Sequence, residues 1–203
     1  MAPIPGFADL WPYVAAALCG YLVGSVPFGL ILTRLAGLGD IRAIGSGNIG
    51  ATNVLRTGSK PLALLTLFLD IAKGAIPPLV ASQWGLAMAL VAGGGAVLGH
   101  VFPAWLGLRG GKGVATSLGV MAALAWPVAL LCFATWLVVA GLFRYVSLAS
   151  VAASAAAPLY AWWVADAPRA GFIAGLALVV ILRHATNIRR LLAGTEPRLG
   201  ERT

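Results

Sequence analysis

Val114–Phe143 reads VATSLGVMAALAWPVALLCFATWLVVAGLF, with Trp126-Pro127 near its middle. A bilayer crossing takes ~20 apolar residues, so this stretch is long for one crossing and short for two. A proline at that point ends or kinks a helix. The other long apolar runs are simpler: 11–35, 61–82, 85–106, 146–165 and 170–192 each suit one crossing. How often 114–143 crosses therefore sets which basic loops share a side. Short cytoplasmic loops carry an excess of Lys and Arg, and that bias sets orientation. With two crossings there are seven spans, the N-terminus outside and the C-terminus cytoplasmic. Arg34, Arg42, Arg56, Lys60, Arg109, Lys112, Arg144, Arg189, Arg190, Arg198 and Arg202 then all fall on the cytoplasmic side, leaving Asp9, Asp166 and Arg169 outside. With one crossing, Arg144 and the basic tail lie opposite the first two loops. A tilted single helix is physically open, but the charge count favours two. The fold expected is all-α and integral to the membrane: a multi-pass bundle of about seven transmembrane helices forming one domain over residues 1–203.

Composition agrees. The chain is 60% hydrophobic and 10% charged, where soluble domains carry about 25% charged residues. Its net charge of +8 sits in short gaps between apolar runs, which argues for membrane orientation and anionic ligands, not nucleic acid. Cys19 and Cys132 lie far apart in apolar runs and read as packing residues. No Lys or Arg precedes Arg34, so the first run is expected to be a retained span and not a removed signal. Val26-Pro27 within it is expected to pass without consequence.

Four polar segments interrupt the apolar pattern, and the seven-span topology gathers all four at the cytoplasmic side. Ile41–Arg56 holds Gly45, Ser46, Gly47, Asn48, Gly50, Thr52 and Asn53; its small residues suit a tight loop with exposed N–H groups. A helix opening after Gly47-Asn48 makes an anion site at its N-terminus and puts Thr52, Asn53 and Arg56 on one face. Gly45, Gly47 and Gly50 also spell a dinucleotide-binding pattern, but the flanking spans deny it the strands it needs. Gly99–Ser117 holds His100, Arg109, Gly110, Gly111, Lys112 and Gly113 directly before a helix. Successive glycines expose amides, Lys112 adds full charge, and the helix dipole points the same way. Gly113 stands where a Walker loop needs Ser or Thr. Arg144 and Ser147 form the third segment, either a topology anchor and a helix cap or ligands. In the fourth, His184 and Asn187 share a helix face between Arg183 and Arg190, with Glu196 expected to hold the tail to an arginine.

Asp70 and Lys73 stand inside the second span, where a lone charge costs about 2.5–3.5 kcal/mol. Their i,i+3 spacing predicts an interior ion pair. With only two histidines and six acidic residues, neither a metal-ligand cluster nor a Ser-His-Asp set is visible. Neither histidine has aspartate five positions later; Trp105 and Arg189 stand there. A positively charged site rich in backbone donors remains. A transporter of organic phosphates would use the same cations, but it favours inverted repeats and a site at the midplane, and no repeat is detectable.

GSGNIGATNVLR (45–56), GHVFPAWLGLRGGKGVAT (99–116), RYVSLAS (144–150) and RHATNIRRLLAGTE (183–196) resemble, in order and spacing, the acyl-phosphate-dependent glycerol-3-phosphate acyltransferases of bacteria, the PlsY type. The resemblance covers essentially the whole chain. It implies a seven-helix inner-membrane enzyme, working at the cytoplasmic face, that moves a fatty acyl group from acyl phosphate to the 1-hydroxyl of glycerol 3-phosphate. The products are lysophosphatidic acid and phosphate. It implies that no metal or CoA is needed; no other cofactor and no nucleic acid are expected, and the chain is expected to be a monomer whose partners are its substrates and membrane lipids. Catalytic positions implied are Ser46, Arg56, Lys112, His184 and Asn187. Substrate or phosphate contacts expected are Gly45, Gly47, Asn48, Thr52, Asn53, His100 and Arg144 from the residues themselves, and Gly110, Gly111, Gly113 and Ser147 from the resemblance as well. Arg109 stands where a lysine is common, and keeps the charge.

Overall fold

Lipid cannot satisfy a bare backbone, so apolar sequence of this kind must close its own hydrogen bonds. The computed structural model describes residues 7–200, and these form helices and turns with no strand. The helices are α1 (Phe7–Gly24), α2 (Phe28–Leu35), α3 (Ala51–Leu55), α4 (Lys60–Ala81), α5 (Leu86–Val101), α6 (Val114–Leu124), α7 (Trp126–Phe143), α8 (Val146–Val164), α9 (Ala167–Arg183) and α10 (Ala185–Leu192). Arg202 and the first six residues lie outside the described residues. Four stretches are long and apolar enough to cross a membrane: Asp9–Leu35, Lys60–Trp84, Leu86–Leu106 and Trp126–Phe143. A fifth passes if α9 and α10, bent by 60° at His184, count as one.

The break in 114–143 falls where the proline predicts. α6 ends at Leu124, Ala125 is extended (φ −159°, ψ 73°), and α7 opens with Pro127 in its first turn, where the missing N–H costs nothing. Arg169 Nε donates to the Leu124 carbonyl at 2.8 Å, and the same guanidinium pairs with Asp166. Arg183, at the other end of α9, approaches the Gly111 carbonyl through its Nε at 3.4 Å. Fourteen residues of helix separate these arginines, about 21 Å. α6 therefore runs from the Arg183 end of the bundle to the Arg169 end, and α7 brings the chain back to Arg144.

Close contact between small residues replaces the hydrophobic drive that lipid cannot supply. α1 and α5 show it most clearly. A Cβ on Gly20 or Gly24 would overlap the carbonyls of Ala92 or Ala96; one on Gly95 or Gly99 would overlap those of Ala17 or Tyr21. Partners advance together along both chains, so the helices run parallel, with α4 returning between them. Gly74 and Gly119 make the same kind of approach where α4 crosses α6, against the Thr116 and Ile71 carbonyls. Farther along, Met121, Ala125, Val128, Cys132, Ala157, Ala161 and Ile173 fill the contact of α6 to α9. Cys132 packs there as expected, while Cys19 faces outward.

Two expectations change. Pro27 is not neutral: the first span breaks between α1 and α2, and the released carbonyls are used. Val26 O takes Lys73 Nζ at 2.8 Å, and Ser25 O takes Trp105 Nε1 at 2.8 Å. The run 170–192 is not one straight helix either. Nδ1 of His184 bonds the Val180 carbonyl at 2.8 Å, the same oxygen that its own amide uses at 3.1 Å, and the chain turns there. Beyond the turn α10 carries Arg189 and Arg190 beside Leu191 and Leu192, the pattern of a helix lying along an interface.

Candidate functional site

All four polar segments contribute a side chain to one cluster. The loop after α5 folds back on the helix it leaves: Gly110 N donates to Val101 O at 3.1 Å, and Gly111 N to His100 O at 3.0 Å. Those two glycine amides are thereby occupied. Gly113 takes φ +88°, a conformation that disfavours side chains, and starts α6 with no side-chain cap. Ser117 N is the first α6 amide bonded back, to Gly113 O at 2.7 Å. Among the described residues the amides from Lys112 to Thr116 have no backbone acceptor. They point where an eleven-residue helix presents its positive end. The hydroxyls of Thr116 and Ser117, one turn in, are buried without a hydrogen bond.

Lys112 leads from this loop into a chain of contacts. Its Nζ donates to Asn187 Oδ1 at 2.5 Å, Asn187 Nδ2 donates to Glu196 Oε1 at 2.7 Å, and Arg190 Nε donates to Glu196 Oε2 at 2.7 Å. An ammonium only donates, so the Asn187 amide is fixed with its oxygen toward Lys112. Burial holds the Lys112 ammonium down to about 8; the positive charges of Arg190, Arg56 and Arg183 act the same way, against Glu196. Burial works to raise the Glu196 carboxyl, yet hydrogen bonds, those from Asn187 and Arg190 included, hold it below its usual range. Ser147 sits buried at this carboxylate with its hydroxyl short of good hydrogen-bond geometry. His184 is buried beside the chain; its Nδ1 must donate to Val180 O, which leaves Nε2 as an acceptor when the ring is neutral.

The segment 41–56 supplies Arg56. Gly45 (φ +52°) lies under its guanidinium: a Cβ there would meet Nη1 at 2.5 Å and Cδ at 2.7 Å. Asn53 organises the loop from inside, donating to Ile41 O at 2.7 Å and Ile44 O at 3.3 Å and accepting from Ser46 N at 3.3 Å. Asn53 therefore points inward, while Thr52 and Arg56 share the outer face. The helix there is α3, one turn long and starting at Ala51 and not after Asn48, too short for a useful dipole. Ser46 and Gly47 are exposed, and Asn48 Oδ1 is buried without a partner.

Sequence reasoning thus placed Lys112, Asn187, His184, Ser147 and Arg56 around one centre. Arg144 does a different job. It exchanges bonds with Leu199 (Leu199 N to Arg144 O at 2.6 Å, Arg144 Nη2 to Leu199 O at 3.1 Å), while Arg198 stacks on Tyr145 at 5.4 Å. The tail is strapped to the start of α8 and seats Glu196. His100 lies beneath Gly111, buried and away from the surface of the cluster. Arg183 was read only as a flank; its contact with Gly111 O and its place over the Phe102 ring at 5.6 Å bind the α5 loop to α9. Its adjacency to His184 was the available signal.

A half-buried ammonium, free amides and three arginines converge with one carboxylate: a cradle for phosphate-bearing anions. Alongside it runs an apolar furrow of about 470 Å³ between α1, α5 and α9, lined by Leu18, Tyr21, Leu90, Gly94, Leu98 and Phe172. A second hollow continues it to Gly175 and Val179, one turn short of Arg183.

A family model described as glycerol-3-phosphate acyltransferase matches residues 14–194. The glycerol-3-phosphate acyltransferase of Rhodospirillum rubrum is 61% identical over 193 residues, covering 91% of this chain and 89% of that protein. That of Paramagnetospirillum magneticum is 61% identical over 190 residues, covering 92% and 94%. Among solved structures, a crystal structure of PlsY (YgiH), an integral membrane glycerol 3-phosphate acyltransferase in its glycerol 3-phosphate form, superposes with a TM-score of 0.88. It is 41% identical, covering 93% of this chain and 96% of that one. Its lysophosphatidic acid form gives a TM-score of 0.86 at 40% identity, covering 93% and 95%.

Proposed function

The chain belongs to the glycerol-3-phosphate acyltransferase family, and from that premise we propose that it carries a fatty acyl group from acyl phosphate to the 1-hydroxyl of glycerol 3-phosphate. It is an integral membrane acyltransferase acting on glycerol 3-phosphate. The products are lysophosphatidic acid and inorganic phosphate. The work is done by a monomer of seven spans in the bacterial inner membrane, with its site toward the cytoplasm.

The observation that carries this reading is Lys112, half-buried at the open amides of α6 and surrounded by Arg56, Arg183 and Arg190. Acyl phosphate is a mixed anhydride, so its leaving group needs charge stabilisation more than it needs a proton. Preorganised amides and cations supply that where water is excluded. The substrate hydroxyl oxygen bonds to the acyl carbon, the carbon–oxygen bond to phosphate breaks, and phosphate leaves with the electron pair. Holding two phosphates in one cradle sets the hydroxyl beside the carbonyl, which is catalysis by proximity. The hydroxyl proton passes to a substrate phosphate oxygen or to Nε2 of His184. The acyl chain lies in the furrow along α5 and α9.

Purified protein in detergent, given acyl phosphate and labelled glycerol 3-phosphate, is expected to form labelled lysophosphatidic acid. Absence of that product, with uptake of label by proteoliposomes, would replace the enzyme by a transporter. Near-full turnover by His184→Ala excludes the histidine as proton acceptor and leaves the substrate phosphate.

A further inference from the structure

Beneath the loop that carries Lys112 lies a charged cluster that the reaction does not touch: Asp70 and Lys73 on α4 and His100 on α5, all buried. Lys73 Nζ stands 2.7 Å from Asp70 Oδ1, donates to Val26 O, and lies 5.6 Å over the Phe28 ring. Burying an ion pair in an apolar span wins little stability over well-packed apolar side chains. A role besides stability is therefore worth seeking, and His100 supplies it by standing between this pair and the loop. On one side its Nδ1, which has no hydrogen-bond partner among the described residues, faces at 3.9 Å the same Asp70 Oδ1 that pairs with Lys73. On the other side the ring fills the space that a Gly111 side chain would need. A Cβ there would overlap Nε2, with Cε1 and Cδ2 of the same ring next at 2.7 and 2.9 Å. The His100 carbonyl also takes the Gly111 amide at 3.0 Å.

We infer that His100, oriented by Asp70, is a positioning residue: it sets the height of the Gly111 backbone and so aims Lys112 and the amides after it at bound phosphate. The imidazole itself does not meet substrate. This rests on the reading of the loop as the phosphate cradle.

Gly110 supplies the internal control. A Cβ on Gly110 meets backbone, the carbonyls of His100 and Val101, and the Pro103 ring. No change of the His100 side chain relieves that. A Cβ on Gly111 meets only the imidazole among its three nearest atoms. The experiment compares wild type, Gly111→Ala, Gly110→Ala, His100→Ala and the two double variants. It reads KM and kcat for glycerol 3-phosphate and, independently of turnover, Kd for inorganic phosphate by titration calorimetry. Gly111→Ala is expected to raise KM and phosphate Kd at least about tenfold with kcat changed far less, since small misplacements of binding groups are costly. In the His100→Ala background the same substitution is expected to cost less than about threefold, because residues in contact couple. Gly110→Ala keeps its full penalty there. Penalties that multiply for Gly111→Ala as they do for Gly110→Ala overturn the inference. Asp70→Asn tests the orienting contact without deleting a side chain: a raised KM at unchanged kcat supports it, and an unchanged KM removes Asp70 from the role. Should wild type bind phosphate without turning over, the acyltransfer reading fails, while the phosphate constants still decide the role of His100.

Discussion

Lys112 gives the sharpest handle on the cradle, because burial brings its ammonium down to about 8 from the ordinary 10.5. A lowered lysine pKa means that the charged form is lost as pH rises through the folded value. At about pH 7 some nine-tenths of the free enzyme carries the charge, and at about pH 9 only a tenth, if the value is near 8. If phosphate binding needs that ammonium, kcat/KM for glycerol 3-phosphate falls about tenfold for each pH unit above ~8, since this ratio reports the free enzyme. The limb on kcat sits higher, because a bound phosphate favours the charged lysine. The substrate does not confuse the alkaline side: a phosphate monoester is already a dianion above its second pKa of ~6. Lys112→Arg carries a charge that does not titrate below pH ~12. It is expected to lower the absolute rate by disturbing the 2.5 Å contact with Asn187 while abolishing the alkaline limb. The assay is steady-state acyltransfer from pH 6 to 10 in detergent. An alkaline limb that persists in Lys112→Arg, or a wild-type profile flat to pH 10, refutes the assignment of charge to this residue.

The α1–α5 seam predicts that Gly24→Ala or Gly99→Ala forces the helices apart, since each Cβ would overlap a backbone carbonyl. A cost of about 1–3 kcal/mol or more should lower the thermal midpoint in detergent, and an unchanged midpoint contradicts the close approach. Lys73→Met alone leaves Asp70 buried and unpaired and should cost about 3–5 kcal/mol; adding Asp70→Leu should recover most of the midpoint, and a double variant no better than the single argues against an interior pair. Gly175 borders the furrow with nothing within 4 Å of a built Cβ. Gly175→Phe should thus fold normally and shift preference toward shorter acyl phosphates in a mixed-donor competition; an unmoved preference takes the acyl chain out of the furrow.

Much of this architecture was readable because its signals are local. Pro127 ends α6 through its own ring and missing N–H, and Asp70 with Lys73 pair at i,i+3, so spacing alone foretells both. Lys112 was legible because a lysine among glycines before a helix has few other uses. What escaped depends on partners distant in sequence. The break at Pro27 matters through Lys73 and Trp105, 47 and 80 positions from the carbonyls they bind. The bend at His184 has no proline to announce it and comes from a ring nitrogen competing for the Val180 carbonyl. Asn53 looked like a ligand because amides in loops often are, yet both ends of its side chain brace residues 41–46. Gly110 and Gly111 looked like free donors, and only the fold shows that α5 has already taken their amides.

The same fold-back bears on the number of spans. Eleven residues of α6 measure about 16 Å, half of a ~30 Å hydrocarbon core, and by length alone such a helix does not cross. On the proposed seven-span topology, however, α6 starts below the membrane surface. Its loop rests on His100, which faces Asp70, and Asp70 lies ten residues along α4 from Lys60, about 15 Å of helix. A helix that begins that far inside needs only its short length to reach the opposite face, where Arg169 caps the Leu124 carbonyl. A recessed site and a short sixth helix are thus one feature, and with α7 returning they argue for two crossings in 114–143. Trp126 is exposed at the turn, so Trp126→Cys, in a chain whose Cys19 and Cys132 are replaced by alanine, should react with a membrane-impermeant maleimide on intact spheroplasts. Arg109→Cys should react only after permeabilisation. Protection of both until the membrane is opened would place Trp126 on the cytoplasmic side or within the bilayer, and the two-crossing topology would fall with it.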